Sequence, residues 1–107
     1  MSNKVKIAID AMGGENSPKK VVEGIEISLK SNQENFFYLY GQKDLLEKEI
    51  SKKRFTSKHC EIINTKDIIL DDESPLGAAK KGRESSMWKA IESLKDGKSD
   101  ISLSAGN

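Results

Sequence analysis

The sequence has few of the residues that disulfides and metal centres require. Cys60 is its single cysteine and His59 its single histidine. One cysteine excludes a disulfide within the chain, and one neighbouring histidine is too little for an ordinary zinc cluster. We therefore expect no metal site and a reducing, cytoplasmic environment.

The chain also lacks an excess of charge and a long apolar run. Its 18 basic and 17 acidic residues leave a formal net charge of +1. No broad basic surface is then available to attract nucleic acid, and we expect no nucleic-acid partner. No run approaches the roughly 20 apolar residues that cross a bilayer. We expect membrane contact, if it occurs, to be peripheral.

Apolar residues make up 36% of the sequence, and their spacing alternates between strand and helix periods. Strands are predicted at 6–10, 36–40, 60–64 and 100–104, and helices at 18–31 and 44–53, after Pro75, and from Ser85-Ser86 until Gly97. The pattern predicts one α/β unit over 1–107, with a mostly parallel sheet and helices on both faces.

Two helix details follow from local patterns. Ser17 is expected to cap the first helix, with Pro18 in its first turn. The last helix is expected to pack through Met87, Ile91 and Leu94, with Ala90 and Trp88 at the margin of that face.

The first strand ends in an acid followed by a glycine pair, Asp10 and Gly13-Gly14. A strand, a glycine turn and a helix start present backbone N–H groups to an anion such as phosphate or carboxylate. Ligands of parallel sheets gather at the carboxyl ends of the strands. Asp10, Gly13 and Gly14 are therefore candidate binding residues, expected to orient a ligand. The alternative for Asp10 is that it braces the turn.

Further candidates stand at a helix start and at the end of the last strand: Ser85, Ser86, Ser104, Gly106 and Asn107. Three of these residues also have a plainer interpretation, whereas capping explains Ser86 less well. Ser85 suits an N-cap, and Ser104 and Asn107 could simply close a strand. His59 has no visible acid partner and reads as a surface residue, while Cys60 reads as a small core residue.

Three ordered motifs resemble the N-terminal part of the bacterial phosphate acyltransferase family. They are Asp10-Ala11-Met12-Gly13-Gly14, the Pro75 helix leading into Ser85-Ser86-Met87, and Ser104-Ala105-Gly106-Asn107. The resemblance covers essentially all of the chain, yet only the first part of the family's longer domain. It implies a fold like that of isocitrate dehydrogenases and phosphotransacetylases.

The resemblance also implies an activity, transfer of a fatty acyl group from acyl carrier protein to inorganic phosphate for phospholipid synthesis. It implies a homodimer and no cofactor. The eight candidate residues would then bind phosphate, with no catalytic residue assigned, and the 107-residue chain alone would be inactive. Two alternatives stay open. One is a noncatalytic anion-binding or interaction module, or a truncated remnant. The other, a dehydrogenase of related fold, suffers because Gly13-Gly14 lacks the G-x-G-x-x-G spacing.

Overall fold

The structure, a computed structural model, describes residues 5–12, 16–65 and 86–104. Four strands and three α-helices are found there. The strands are β1 (Lys6–Asp10), β2 (Phe36–Gly41), β3 (Cys60–Asn64) and β4 (Ile101–Ser104), and the helices are α1 (Lys19–Ser31), α2 (Lys43–Ile50) and α3 (Ser86–Lys95). A short 3-10 turn, Thr56–Lys58, precedes β3.

All neighbouring strands of the sheet are parallel, in the order β3-β2-β1-β4. The chain moves outward from β1 through β2 to β3, then returns to place β4 on the other side of β1. Strand β1 is therefore central, and the strand order reverses between β1 and β4. The predicted α/β fold with a parallel sheet is confirmed.

The two faces of the sheet carry different cores. Alternate residues of β1 and β2, including Ile7 and Leu39, join α1 and α2 in the larger apolar core. On the opposite face, Ala8 and Tyr40 pack with Ala90 of α3. Side chains alternate along a strand, so Asp10 falls on the same face as Ala8, beneath α3.

The predicted start of the first helix is wrong in detail. Helix α1 begins at Lys19, with Pro18 at the N-cap position and no side-chain cap hydrogen bond. Backbone carbonyls of Asn16 and Pro18 instead accept from Lys20 and Val22, at 2.9 and 3.0 Å. The chain thus enters the helix through a preceding turn, so Ser17 is not its cap.

The second helix is shorter than predicted and ends at Ile50. The hydroxyl of Ser51 donates to the carbonyl oxygen of Lys48 at 2.9 Å, and the amide of Lys53 donates to Ile50 in a tighter turn. These local bonds satisfy the last carbonyls of the helix and turn the chain before Lys53.

The predicted packing face of α3 is also wrong. Its buried residues are Ser86, Ala90 and Ser93, whereas Ile91 and Leu94 are exposed. Small side chains let the helix lie close against the sheet, and this contact outweighs the apolar periodicity. The side chain of Met87 and the helix predicted after Pro75 lie outside the described residues.

Within the described ranges, no helix is long and apolar enough to cross a membrane.

Candidate functional site

The candidate site lies where the strand order reverses. Asp10 ends β1, and Ser104, its register partner, ends β4. Helices α1 and α2 cover one face of the sheet, and α3 covers the other. The connections that flank β1 and β4 therefore run on opposite faces and leave a gap between the ends of these two strands. Open parallel sheets hold their ligands in the crevice that such a switch point creates.

Asp10 is the centre of a hydrogen-bonded cluster, although only 3% of its surface is exposed. Its Oδ1 accepts from the amide of Met12 at 3.1 Å and from the hydroxyl of Ser86. Its Oδ2 accepts from the hydroxyl of Ser104 at 2.8 Å. One carboxylate thereby joins the end of β1, the end of β4 and the start of α3.

The two hydroxyls of this cluster differ in access. Ser86 is buried, whereas Ser104 is exposed to solvent. Ser86 is therefore suited to fixing the start of α3 over Asp10, and Ser104 is suited to touching a ligand. Three predicted residues, distant in sequence, meet in one place.

The hydrogen bonds constrain the chemistry of the cluster. Both oxygens of Asp10 already accept from donors, which suits a positioning residue better than a general base that must collect a proton from substrate.

The remaining predicted site residues lie outside the described residues. They are Gly13, Gly14, Ser85, Gly106 and Asn107. Just after the glycine pair, Asn16 has a φ of 60°. Asparagine is one of the few residues that adopt this left-handed conformation readily, and here it turns the chain into α1.

Sequence reasoning missed a second buried carboxylate, Glu26 of α1. It accepts from the amides of Phe55 and Thr56 and from the Thr56 hydroxyl, the last two at 2.9 Å. Burial by itself would raise the pKa of Glu26, but these hydrogen bonds outweigh it and hold the pKa below its ordinary value of 4.5. The available signal was an acid on the buried stripe between Val22 and Leu29.

His59 and Cys60 lie at the start of β3, so they stand at the amino ends of the parallel strands, whereas Asp10 stands at the carboxyl ends. Cys60 is half-buried and packs against the larger core, as predicted. Burial raises the pKa of its thiol to about 11, which makes it a poor nucleophile near neutral pH.

A parallel sheet covered on both faces, with a polar cluster at its switch point, defines an α/β protein of the doubly wound class. The family model described as "Fatty acid synthesis protein" matches residues 5–107. The chain belongs to that family.

Several relatives with a more specific name align with nearly all of the chain. A protein named "Phosphate acyltransferase" from Pelagibacter ubique is 49% identical over 107 residues, which are 100% of this chain and 32% of the relative. Proteins of the same name from Clostridioides difficile and Clostridium acetobutylicum are 43% and 39% identical over 96% and 94% of the chain. The chain spans about a third of the length of these relatives.

Proposed function

We propose that this chain forms the phosphate-side part of a phosphate acyltransferase. The enzyme would transfer a fatty acyl group from acyl carrier protein to inorganic phosphate. The observation that carries this proposal is the cluster of Asp10, Ser86 and Ser104 at the switch point, in a chain whose relatives bear that name. The family description supports a role in fatty acid synthesis.

The proposed reaction joins inorganic phosphate to the carbonyl carbon of the acyl thioester. A phosphate oxygen attacks the carbonyl carbon of the thioester and forms a tetrahedral oxyanion. Collapse of that intermediate breaks the carbon–sulfur bond, leaving acyl phosphate, while the thiolate of the carrier takes up the proton lost by phosphate. The protein must hold phosphate beside the thioester and stabilise the oxyanion.

The Asp10 cluster would serve the first of these tasks. The exposed Ser104 hydroxyl, fixed by its bond to Asp10, would contact the phosphate and so help to orient the attacking oxygen. Ser86 would hold α3 in position over Asp10. Gly13, Gly14, Ser85, Gly106 and Asn107 complete the proposed set, with backbone N–H groups of the glycine segment binding the phosphate charge.

The proposal also covers the substrates of the enzyme, its oligomeric state and its location in the cell. Acyl carrier protein and inorganic phosphate would be the substrates, no metal or nicotinamide would be required, and the whole enzyme would act as a homodimer. We place it in the cytoplasm, where peripheral contact with the membrane would bring acyl phosphate to the next acyltransferase.

Hydroxylamine trapping tests the reaction directly. Protein expressed from the whole reading frame that contains this chain is mixed with acyl carrier protein charged with acyl groups of several lengths. We expect hydroxamate formation to rise with phosphate, above the direct reaction of hydroxylamine with the thioester that a sample without phosphate measures. Absence of phosphate-dependent hydroxamate at every chain length would refute the enzyme, and saturable phosphate binding under those conditions would favour a noncatalytic anion-binding module.

A further inference from the structure

A cavity opens beyond the carboxyl ends of β2 and β3, at the same end of the parallel strands as Asp10. Its volume is about 430 Å³, and it is lined by Gln42, Lys43, Asp44, Asn64 and Thr65. The strands are parallel, so these residues and the Asp10 cluster both follow carboxyl ends of strands. The proposed phosphate role of the Asp10 cluster does not use this cavity.

Hydrogen bonds fix the walls of the cavity. The side-chain oxygen of Asn64 accepts from the amide of Lys43 at 2.9 Å, which ties the start of α2 to the end of β3. The amide of Thr65 donates to the carbonyl of Gly41 at 2.8 Å. A ligand would thus meet a preformed wall.

The segment after β1 packs closely against this wall. A Cβ atom on Gly41 would stand 2.8 Å from Cγ of Met12, so the side chain of Met12 would have to move. Met12 follows Asp10 by two residues, so the segment that leaves the Asp10 cluster contacts Gly41, whose carbonyl oxygen accepts from Thr65.

Thr65 supplies the observation that points to a ligand. The residue is 5% exposed. In the described part of the chain the buried hydroxyls of Thr65, Ser93 and Ser99 have no hydrogen-bond partner, and of these three Thr65 is the one that lines the cavity. Buried hydroxyls are normally paired, since leaving one unpaired costs free energy. A polar group bound in the cavity would supply the missing partner.

The charges around the cavity select the kind of ligand. Lys43 and Asp44 contribute one charge of each sign, and the other lining residues are uncharged. The carboxylate of Asp44 in the first turn of α2 opposes an anion at that helix end. Amide and hydroxyl side chains remain, which donate and accept hydrogen bonds equally well.

We infer that this cavity binds an uncharged group rich in amides and hydroxyls, the chemistry of the thioester-bearing arm of an acyl carrier. The inference rests on the proposed function for the identity of the donor. It assigns the donor arm to the ends of β2 and β3, and phosphate to the ends of β1 and β4.

Free pantetheine, an uncharged molecule with two amides and hydroxyl groups, is the probe. It is titrated into the isotopically labelled protein from the whole reading frame while backbone amide signals are followed by NMR. We expect saturable shifts at Asn64 and Thr65. Thr65→Val, which removes the hydroxyl and keeps the branched shape, should weaken binding about fivefold or more, the effect of one hydrogen bond.

Ser99→Ala is the matched control. Ser99 is likewise 5% exposed with an unpartnered hydroxyl. It precedes β4 and so lies at the amino ends of the strands, away from the cavity at their carboxyl ends. This variant should bind pantetheine like the wild type. Equal binding by Thr65→Val, or no saturable shift in the wild type, would overturn the inference.

Inorganic phosphate provides the competing outcome. If phosphate shifts Asn64 and Thr65, and Lys43→Gln abolishes that response, the cavity is an anion site and the inference is wrong. Hydroxylamine trapping on the same preparation separates the two proposals. Acyl phosphate formation without pantetheine binding refutes only the donor-arm site, whereas pantetheine binding without acyl phosphate formation supports the cavity and refutes the enzyme.

Discussion

Two buried carboxylates, Asp10 and Glu26, each hold separate parts of the chain together. Asp10 joins β1, β4 and α3, and Glu26 joins α1 to the 3-10 turn before β3. Each accepts several hydrogen bonds from backbone amides and hydroxyls, so the charged form is satisfied despite burial. Such residues are sensitive to loss of charge even when the shape of the side chain is kept.

Asp10→Asn tests this sensitivity at the candidate site. The new NH₂ group would face donors that now bind a carboxylate oxygen, so we expect a loss of about 1–3 kcal/mol in the free energy of unfolding, measured by chemical denaturation. Asp100→Asn is the control, because exposed Asp100 accepts one backbone bond from Lys6 and an asparagine oxygen can still accept it. Equal stability of Asp10→Asn and wild type would show that the cluster does not brace the fold.

The lowered pKa of Glu26 predicts how the free energy of unfolding depends on pH. Its pKa is lowered on folding, so its contribution to stability is present above the ordinary value of 4.5 and is lost as the pH falls through the lower folded value. Glu26→Gln should cost about 1–2 kcal/mol at neutral pH, and this difference should shrink in acid well below 4.5. Unfolding free energies of both proteins across that range provide the measurement.

Exposed Glu23, on the same helix, is the control for this titration. Glu23→Gln should leave unfolding free energy within about 0.5 kcal/mol of the wild type. A constant difference between wild type and Glu26→Gln at every pH would contradict the assigned role of the Glu26 charge.

Among the elements, α3 packs through small residues and turns larger apolar ones outward. Ala90 is 1% exposed, whereas Leu94 is 42% exposed. Ala90→Leu should force the helix away from the sheet and cost about 1–3 kcal/mol. Leu94→Gln should change unfolding free energy by no more than about 0.5 kcal/mol. The opposite order of these two effects in thermal or chemical denaturation would show that the apolar face is the packed one.

The same helix marks the limit of what the sequence could predict. Strands were predictable because short apolar runs ended at polar or glycine residues, and β3 has the predicted bounds. The closeness of Asp10 and Ser104 followed from the rule about strand ends, whereas Ser86 was a candidate at a helix start and its contact with Asp10 was not predicted. The packed face of α3 did not, because periodicity reports which residues are apolar and not how closely a helix approaches its sheet. The orphaned hydroxyl of Thr65 depends on contacts between distant segments and has no local signal.

At the scale of the whole molecule, the described part of the chain leaves apolar surface uncovered. Ile101 and Leu103 of β4 lie on the same face as Ile7 and Ile9, yet they are 42% and 51% exposed. No strand pairs with the outer edge of β4 within the described ranges. The relatives are about three times longer, and their additional sequence could cover this surface.

We expect the 107-residue chain, expressed alone, to self-associate through this surface and to lack acyl transfer activity. Exposed apolar area and an unpaired strand edge both favour association. Light scattering after size exclusion should show oligomers, and Ile101→Lys combined with Leu103→Glu should shift them toward the monomer. A monodisperse wild-type monomer with full phosphate-dependent activity would contradict both expectations.

The most direct test of the central claim, that the Asp10 cluster orients phosphate for acyl transfer, is the KM for phosphate of Ser104→Ala. This variant removes one exposed hydroxyl and keeps the carboxylate with its other donors. In the protein from the whole reading frame, hydroxamate formation should show a KM for phosphate raised about tenfold, with the KM for acyl carrier protein within about twofold. Ser99→Ala should match the wild type. An unchanged KM for phosphate and unchanged turnover in Ser104→Ala would contradict the account.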